Sequence, residues 1–200
     1  MKINTHSYLS QLGAAVNGKE RYSFQENDNW TKELYVHLKL DYPKFHKMDG
    51  LSKMALLAVE LIAEALPNQE ITEEGLHLVF SNAGSSSDFD AKFINSYTEL
   101  NMPSPSLFVY TLPNIVTGEL AIKYKWYGES CFFIQEKFKA SFFEEQLKLA
   151  FQKGASHCLC AWVEDHPLKT KECFVFLVEN STNLSLAEEV EKIYKQYKNE

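Results

Sequence analysis

Five side chains that could ligate a metal or act as nucleophiles, His157, Cys158, Cys160, His166 and Cys173, fall within seventeen residues. Structural zinc sites usually take their cysteines as C-x2–4-C from a turn. Here His-Cys-x-Cys lies in an apolar run, which puts Cys158 and Cys160 on one face of a strand. A buried strand with small, soft side chains accounts for them better, and no metal is expected. Ser85-Ser86-Ser87 follows an apolar run, and Gly84 allows the turn of an anion-binding nest. No G-x-x-x-x-G-K-[ST] or G-x-G-x-x-G is present, so a loop with a helix cap is the better account and no cofactor is expected. His46, Asp49 and Ser52 lie close in sequence, but no elbow supports a hydrolase triad. Asp49, or alternatively Ser52, serves more simply as a helix cap.

The chain is organised around Gly128 to Glu164. An apolar run (Cys131–Ile134) leads into an amphipathic helix, a Gly-containing turn and a second apolar run (Cys158–Val163). In several enzyme folds the strand-to-helix turn of such a unit holds a nucleophile. Here it reads Gln135-Glu136-Lys137-Phe138-Lys139, with neither Ser nor Cys. Ser141 falls about a helical turn further on, and Cys131, at the start of the strand, is expected in the core. Lys137 and Lys139 oppose the dipole of the helix they precede. A carboxylate or a partner packed over them would relieve the conflict; otherwise both point to solvent. Glu144-Glu145 reads as a solvated helix face.

The rest of the chain supplies the frame. A strand is expected over 2–9, then loops through Gly13–Gly18 and 19–33. A short strand or helical turn follows at Tyr35–Leu40. A helix spans Leu51–Leu66, a buried strand Leu76–Phe80, and a helix from about Phe89 to Glu99 is capped by Ser87 or Asp88. A helix runs from Ile115 to about Lys125, and a third apolar run covers Glu172–Glu179. Ser185 opens a last helix, Leu186 to about Tyr197. Short buried strands alternating with helices predict one α/β domain over 1–200, with a mostly parallel sheet covered on both faces.

Composition narrows the classes. The net charge of -7 disfavours a nucleic-acid surface, which needs a basic face. No window approaches the roughly 18 apolar residues of a membrane span, and the N-terminus lacks the long apolar stretch of a signal peptide. Four Cys in 200 residues do not make a disulfide scaffold, so a reducing, cytoplasmic setting is expected.

Several pieces, in order, resemble the N-terminal half of a β-ketoacyl synthase, a thiolase-fold condensing enzyme. Lys53–Leu66 is similar to that family's first long helix, and Leu76–Ser87 to its second strand and small-residue loop. Ser104–Ile122 resembles the segment in which a Ser-Pro, a Phe and a later Asn precede the dimer-contacting helix. Gly128-Glu129-Ser130 stands where the family usually has Gly-Pro-Ser, and Ala150–Glu164 resembles the helix end, Gly turn and fifth strand. The likeness is greatest to the divergent members of aryl-polyene and flexirubin-type pigment pathways. It implies a thiolase-like half-domain with a mostly parallel five-stranded sheet.

The resemblance also implies a chemistry and its loss. In the family a Cys at the elbow accepts an acyl chain from acyl carrier protein, and residues of the C-terminal half promote decarboxylation of the extender. The family's spacing from Gly128 puts that nucleophile at Lys137, and gaps of one or two residues offer only Gln135, Glu136, Phe138 or Lys139. The C-terminal catalytic half has no counterpart in these 200 residues. The expectation is a non-catalytic subunit, a homodimer or a partner of a full-length ketosynthase, with acyl carrier protein as a possible further partner. The alternative is an acyltransferase or condensing enzyme acting on carrier-protein thioesters and completed by a partner subunit, with Cys158, Cys160 or a partner's residue taking the acyl group.

Overall fold

The structure, a computed structural model, describes residues 1–25, 29–63, 66, 74–166, 171–181 and 185–198. Two consecutive strands, β6 (His157–Glu164) and β7 (Glu172–Glu179), form its centre. Both are near-continuous apolar runs because both of their faces are covered. Cys158, Cys160 and Trp162 alternate with Leu159, Ala161 and Val163, and Phe174 and Phe176 alternate with Cys173, Val175 and Leu177. One set packs against helices α1 (Trp30–His37), α2 (Gly50–Glu60) and α5 (Ile115–Tyr124). The other packs against α6 (Ala140–Gln152) and α7 (Ala187–Lys198).

The sheet is mixed and seven-stranded among the described residues, which corrects the expected mostly parallel five-stranded one. From one edge to the other the strands are β3 (Lys19–Ser23), β2 (Gly13–Val16), β1 (Lys2–Ser10), β7, β6, β4 (Leu76–Asn82) and β5 (Ser130–Ile134). Only β4–β5 and β4–β6 pair in parallel; the other pairings are antiparallel. The link between β6 and β7 is only residues 165–171, too short for the crossover of about a dozen residues that a parallel pair needs.

The two additional strands occupy stretches expected to be loops, Gly13–Gly18 and 19–33. Asn17 (φ 49°) and Gly18 (φ 75°) form a two-residue turn with both φ angles positive, which matches the twist of a hairpin. Tyr35–Leu40 was open between strand and helix, and α1 resolves it as helix through His37. Helix α2 is capped by Asp49, which accepts the Ser52 N–H at 3.0 Å; it ends at Glu60, short of the expected Leu66. Residues 64 and 65 of that expected helix lie outside the described residues. Between β4 and β5 the chain also forms α3 (Ser87–Thr98) and a short α4 (Pro105–Val109). Among the described residues no helix is long and apolar enough to cross a membrane.

Candidate functional site

The carboxyl ends of the parallel strands β5, β4 and β6 lie side by side, at Ile134, Asn82 and Glu164. Ligands in open α/β sheets usually bind outside such ends. The β5–α6 turn is tied to β4 by the Gln135 N–H, which donates to the Asn82 carbonyl at 2.8 Å. It is pinned from below by Phe138, whose ring is buried beside Tyr194 (4.1 Å between centroids), Phe143 (5.7 Å), Phe174 (5.8 Å) and Trp162 (6.1 Å). Lys137 and Lys139, on either side of this anchor, are exposed.

The helix opens at Ala140, with Lys139 as an N-cap that makes no side-chain cap bond. Lys137 therefore lies inside the turn rather than at the first helical position. Ser141 falls in the first turn of α6, closer to the elbow than its spacing suggested. Glu188 and Glu191 of α7 line the same open cleft of about 360 Å³ as Lys137, Lys139 and Ser141. Carboxylates thus stand on the side where the two lysines oppose the helix dipole. The turn presents ammonium groups and a hydroxyl, and no thiol.

The small-residue loop after β4 has an anion of its own. Glu164 Oε1 accepts the Ala83 N–H and, at 3.3 Å, the Gly84 N–H. Asn82 closes the loop, accepting the Ser85 N–H at 3.0 Å and donating to the Ser85 carbonyl at 2.8 Å. A nest of backbone N–H groups that could hold a ligand's anion is filled by a side chain from the neighbouring strand.

Sequence reasoning passed over a buried carboxylate with four hydrogen-bond donors. Glu172, buried at the start of β7, accepts Tyr8 OH at 2.7 Å, Tyr194 OH at 2.8 Å, Lys198 Nζ at 2.9 Å and Trp162 Nε1 at 3.3 Å. It ties β1, β6 and α7 together beneath the elbow. The alternation of β7 places this side chain on the same face as Phe174, the one signal that could have found it.

The zinc candidates do not converge. Cys158 and Cys160 face α6, whereas Cys173 belongs to the opposite face. Among the described residues no three His, Cys, Asp or Glu side chains are placed to hold a metal ion. Burial pushes the Cys158 thiol up to about 12 and the Cys160 and Cys173 thiols well up, so all three stay protonated and are poor acyl acceptors. Cys131, expected in the core, is exposed, because β5 is the last strand of the sheet. His46 packs against the rings of Tyr35 and Phe45 rather than joining Asp49 and Ser52 in a triad.

Glu144 is likewise no solvated bystander. Its carboxylate accepts the N–H groups of Leu186 and Ala187, both at 2.7 Å, and so caps α7 from the neighbouring helix. The bond from Lys148, then those from Leu186 and Ala187, hold its pKa down at about 2 against an ordinary 4.5. A depressed carboxylate stabilises the fold fully above its unfolded pKa and loses that contribution as pH falls through its folded pKa. Glu144→Gln is expected to cost about 1–2 kcal/mol at neutral pH, the worth of a helix cap. The difference from wild type should shrink between pH 4.5 and 2 in urea melts; a gap that does not change over that range contradicts the assignment.

With the elbow and its sheet in place, the chain has the thiolase-like fold of ketosynthases and chain length factors. Three of the solved structures that share it illustrate the likeness. The complex of the ketosynthase ApeO with its chain length factor ApeC from Xenorhabdus doucetiae matches at a TM-score of 0.62 and 13% identity, over 90% of this chain and 79% of that one. The ishigamide ketosynthase/chain length factor matches at 0.62 and 16% identity, over 90% of this chain and 62% of that one. AntDE:AntF, a type II polyketide synthase acyl carrier protein in complex with its hexaketide-bound ketosynthase, matches at 0.62 and 11% identity, over 89% and 62%. The chain thus spans less than two thirds of the last two. No family model and no curated protein matches the sequence.

Proposed function

We propose that residues 1–200 form a single ketosynthase N-terminal-like domain, a non-catalytic subunit that pairs with a full-length ketosynthase in fatty-acid or polyketide-type synthesis of the aryl-polyene kind, in the cytoplasm. The observation that carries this reading is the β5–α6 turn. Its scaffold is intact, with Phe138 anchoring it and Gln135 tied to β4, yet residues 135–139 offer no thiol to carry an acyl group, and the hydroxyl beside them, that of Ser141, belongs to the first turn of α6. Lys137 occupies the degenerate nucleophile position.

The surface for a partner is the free edge of β5 with the apolar residues before it. Ile134 is 51% exposed, Ile122 66% and Tyr127 64%, and among the described residues β5 has a neighbour on one side only. An apolar, unpaired edge strand is a template for another chain. The proposed heterodimer finds support in the ketosynthase and chain length factor pairs that share the fold.

The test is a condensation assay with acyl- and malonyl-loaded carrier protein. The chain alone should release no CO₂ and form no carbon–carbon bond. Added to a full-length ketosynthase from the same genome, it should change the length distribution of the products. Turnover by the chain alone, or products indifferent to its presence, would sink the proposal. Ile134→Asp and Ile122→Asp should weaken the pairing by about 100-fold or more, since a charge buried unpaired in an interface costs several kcal/mol. Their melting curves should stay within about 2 °C of wild type, as surface changes usually cost under about 0.5 kcal/mol.

A further inference from the structure

A cavity of about 270 Å³ lies beside α1 and α2, across the sheet from Phe138 and the elbow. Its lining brings together three lysines, Lys53, Lys92 and Lys171. Lys92 pairs with Asp88 at 2.5 Å and Lys171 with Asp165 at 2.7 Å. The half-buried Lys53 forms no such pair among the described residues. Its ring contact, 5.9 Å from the Phe45 centroid, is at the outer limit of a cation–π interaction. The helices around the cavity add to the positive field. Trp30 and Thr31 open α1, Gly50 opens α2, and Asp88 and Phe89 stand in the first turn of α3, so the positive ends of three helices border one space. Asp165, only 6% exposed, answers part of that charge, and it sits so close to α2 that a Cβ on Gly50 would overlap its carboxylate. Asp49 stands outside the lining and is committed to the Ser52 N–H. Three ammoniums thus meet two carboxylates in the cavity wall, and the charge left over is that of Lys53. Burial lowers the Lys53 pKa from its ordinary value, against the pull of Asp49, so the ammonium gives up water there without a full counter-charge.

We propose that this cavity binds the phosphate group of a small phosphate monoester, with Lys53 as the principal cation and Lys92 and Lys171 beside it. A phosphate presents several anionic oxygens, which suits several ammoniums around one space better than a single carboxylate does. Each ammonium has three N–H donors. Asp88 and Asp165 hold Lys92 and Lys171 in place and leave each of them donors to spare. The bordering helix ends favour the same charge. The cavity is larger than a bare phosphate, and Met48, Met54 and Phe89 line the remainder, so an organic body of a few carbons fits beside the anion. No bond is made or broken in this site. The sheet separates it from the elbow, and it does not depend on the partner role, so either proposal can fail without the other.

The experiment is a calorimetric titration of the whole chain with glycerol 3-phosphate, inorganic phosphate and acetate, at one ionic strength held with sodium chloride. Glycerol 3-phosphate should bind one to one, more tightly than inorganic phosphate and at least about 10-fold more tightly than acetate, the scale of one charge-assisted hydrogen bond. Lys53→Met keeps the bulk of the stem and should weaken binding by about 10-fold or more, on the same scale. Lys92→Met changes an exposed side chain, so it should weaken binding without threatening the fold and decides the matter if the Lys53 variant does not fold. Lys195→Met, on α7, should leave binding unchanged. No saturable heat, acetate or inorganic phosphate bound as tightly as the monoester, a folded Lys53→Met or Lys92→Met that binds as wild type does, or an equal loss in Lys195→Met would overturn the proposal.

Discussion

Glu172→Ala is expected to lower the stability of the chain by about 3–5 kcal/mol, the cost of removing one partner from a buried charged network. The carboxylate accepts from Tyr8, Trp162, Tyr194 and Lys198, and the side chain is 6% exposed. With the acceptor gone, the Tyr8 and Tyr194 hydroxyls and the Trp162 indole N–H each lose a hydrogen bond, and Lys198, 24% exposed, loses its carboxylate. At roughly 2–4 °C per kcal/mol for a chain of this size, the melting point should fall by about 6–20 °C. Glu172→Gln keeps the shape and one acceptor oxygen but loses the charge opposite Lys198, so an intermediate loss of about 1–3 kcal/mol is expected. Differential scanning calorimetry of both variants decides the matter. Two variants within about 0.5 kcal/mol of wild type would show that the network contributes nothing.

Gly128→Val should be nearly as damaging, for a different reason. A Cβ at residue 128 would lie 2.1 Å from the Leu76 carbonyl oxygen and 2.8 Å from its carbon, with the Glu74 oxygen at 3.0 Å. All three atoms are backbone, and no rotamer can move them aside. Leu76 opens β4, and Leu78 N–H donates to the Glu129 carbonyl at 2.9 Å, so the close approach sets how β5 meets β4. Even Ala should cost about 3 kcal/mol, the upper range for overpacking, and Val more. The variant should also unsettle the β5 edge. Urea melts with a fluorescence readout check it; a Gly128→Ala protein as stable as wild type would mean that β5 can slide away from β4 freely.

These features show what the sequence carries and what it hides. β7 was legible to its end residues, Glu172–Glu179, because a strand covered on both faces is one uninterrupted apolar run. Helix α2 was legible from its apolar stripe and from Asp49, and α5 from Pro113 just ahead of its first turn. The β2–β3 hairpin was missed although Asn17-Gly18 marks it, because short strands of mixed polarity carry a weak period. The mixed sheet could have been inferred from the short β6–β7 link, since seven residues cannot cross over. Exposure of Cys131 could not be read locally, because whether a strand is an edge is a property of the whole sheet. The same holds for the Glu144 cap on α7 and the Glu172 network, whose partners lie far away in sequence. The elbow was the reverse case. Its position followed from the strand–turn–helix pattern, and its lack of a thiol from the residue types alone, while the anchoring by Phe138 needed the tertiary packing.

The central claim, that this chain is the partner of a ketosynthase, is tested most directly by mass. The chain is co-expressed with a full-length ketosynthase from the same genome, purified through a tag on the ketosynthase, and measured by light scattering after size exclusion. A one-to-one complex is predicted, lost when Ile134 and Ile122 are replaced by Asp. A chain that elutes alone at its own mass, with the ketosynthase paired only to itself, would contradict the account.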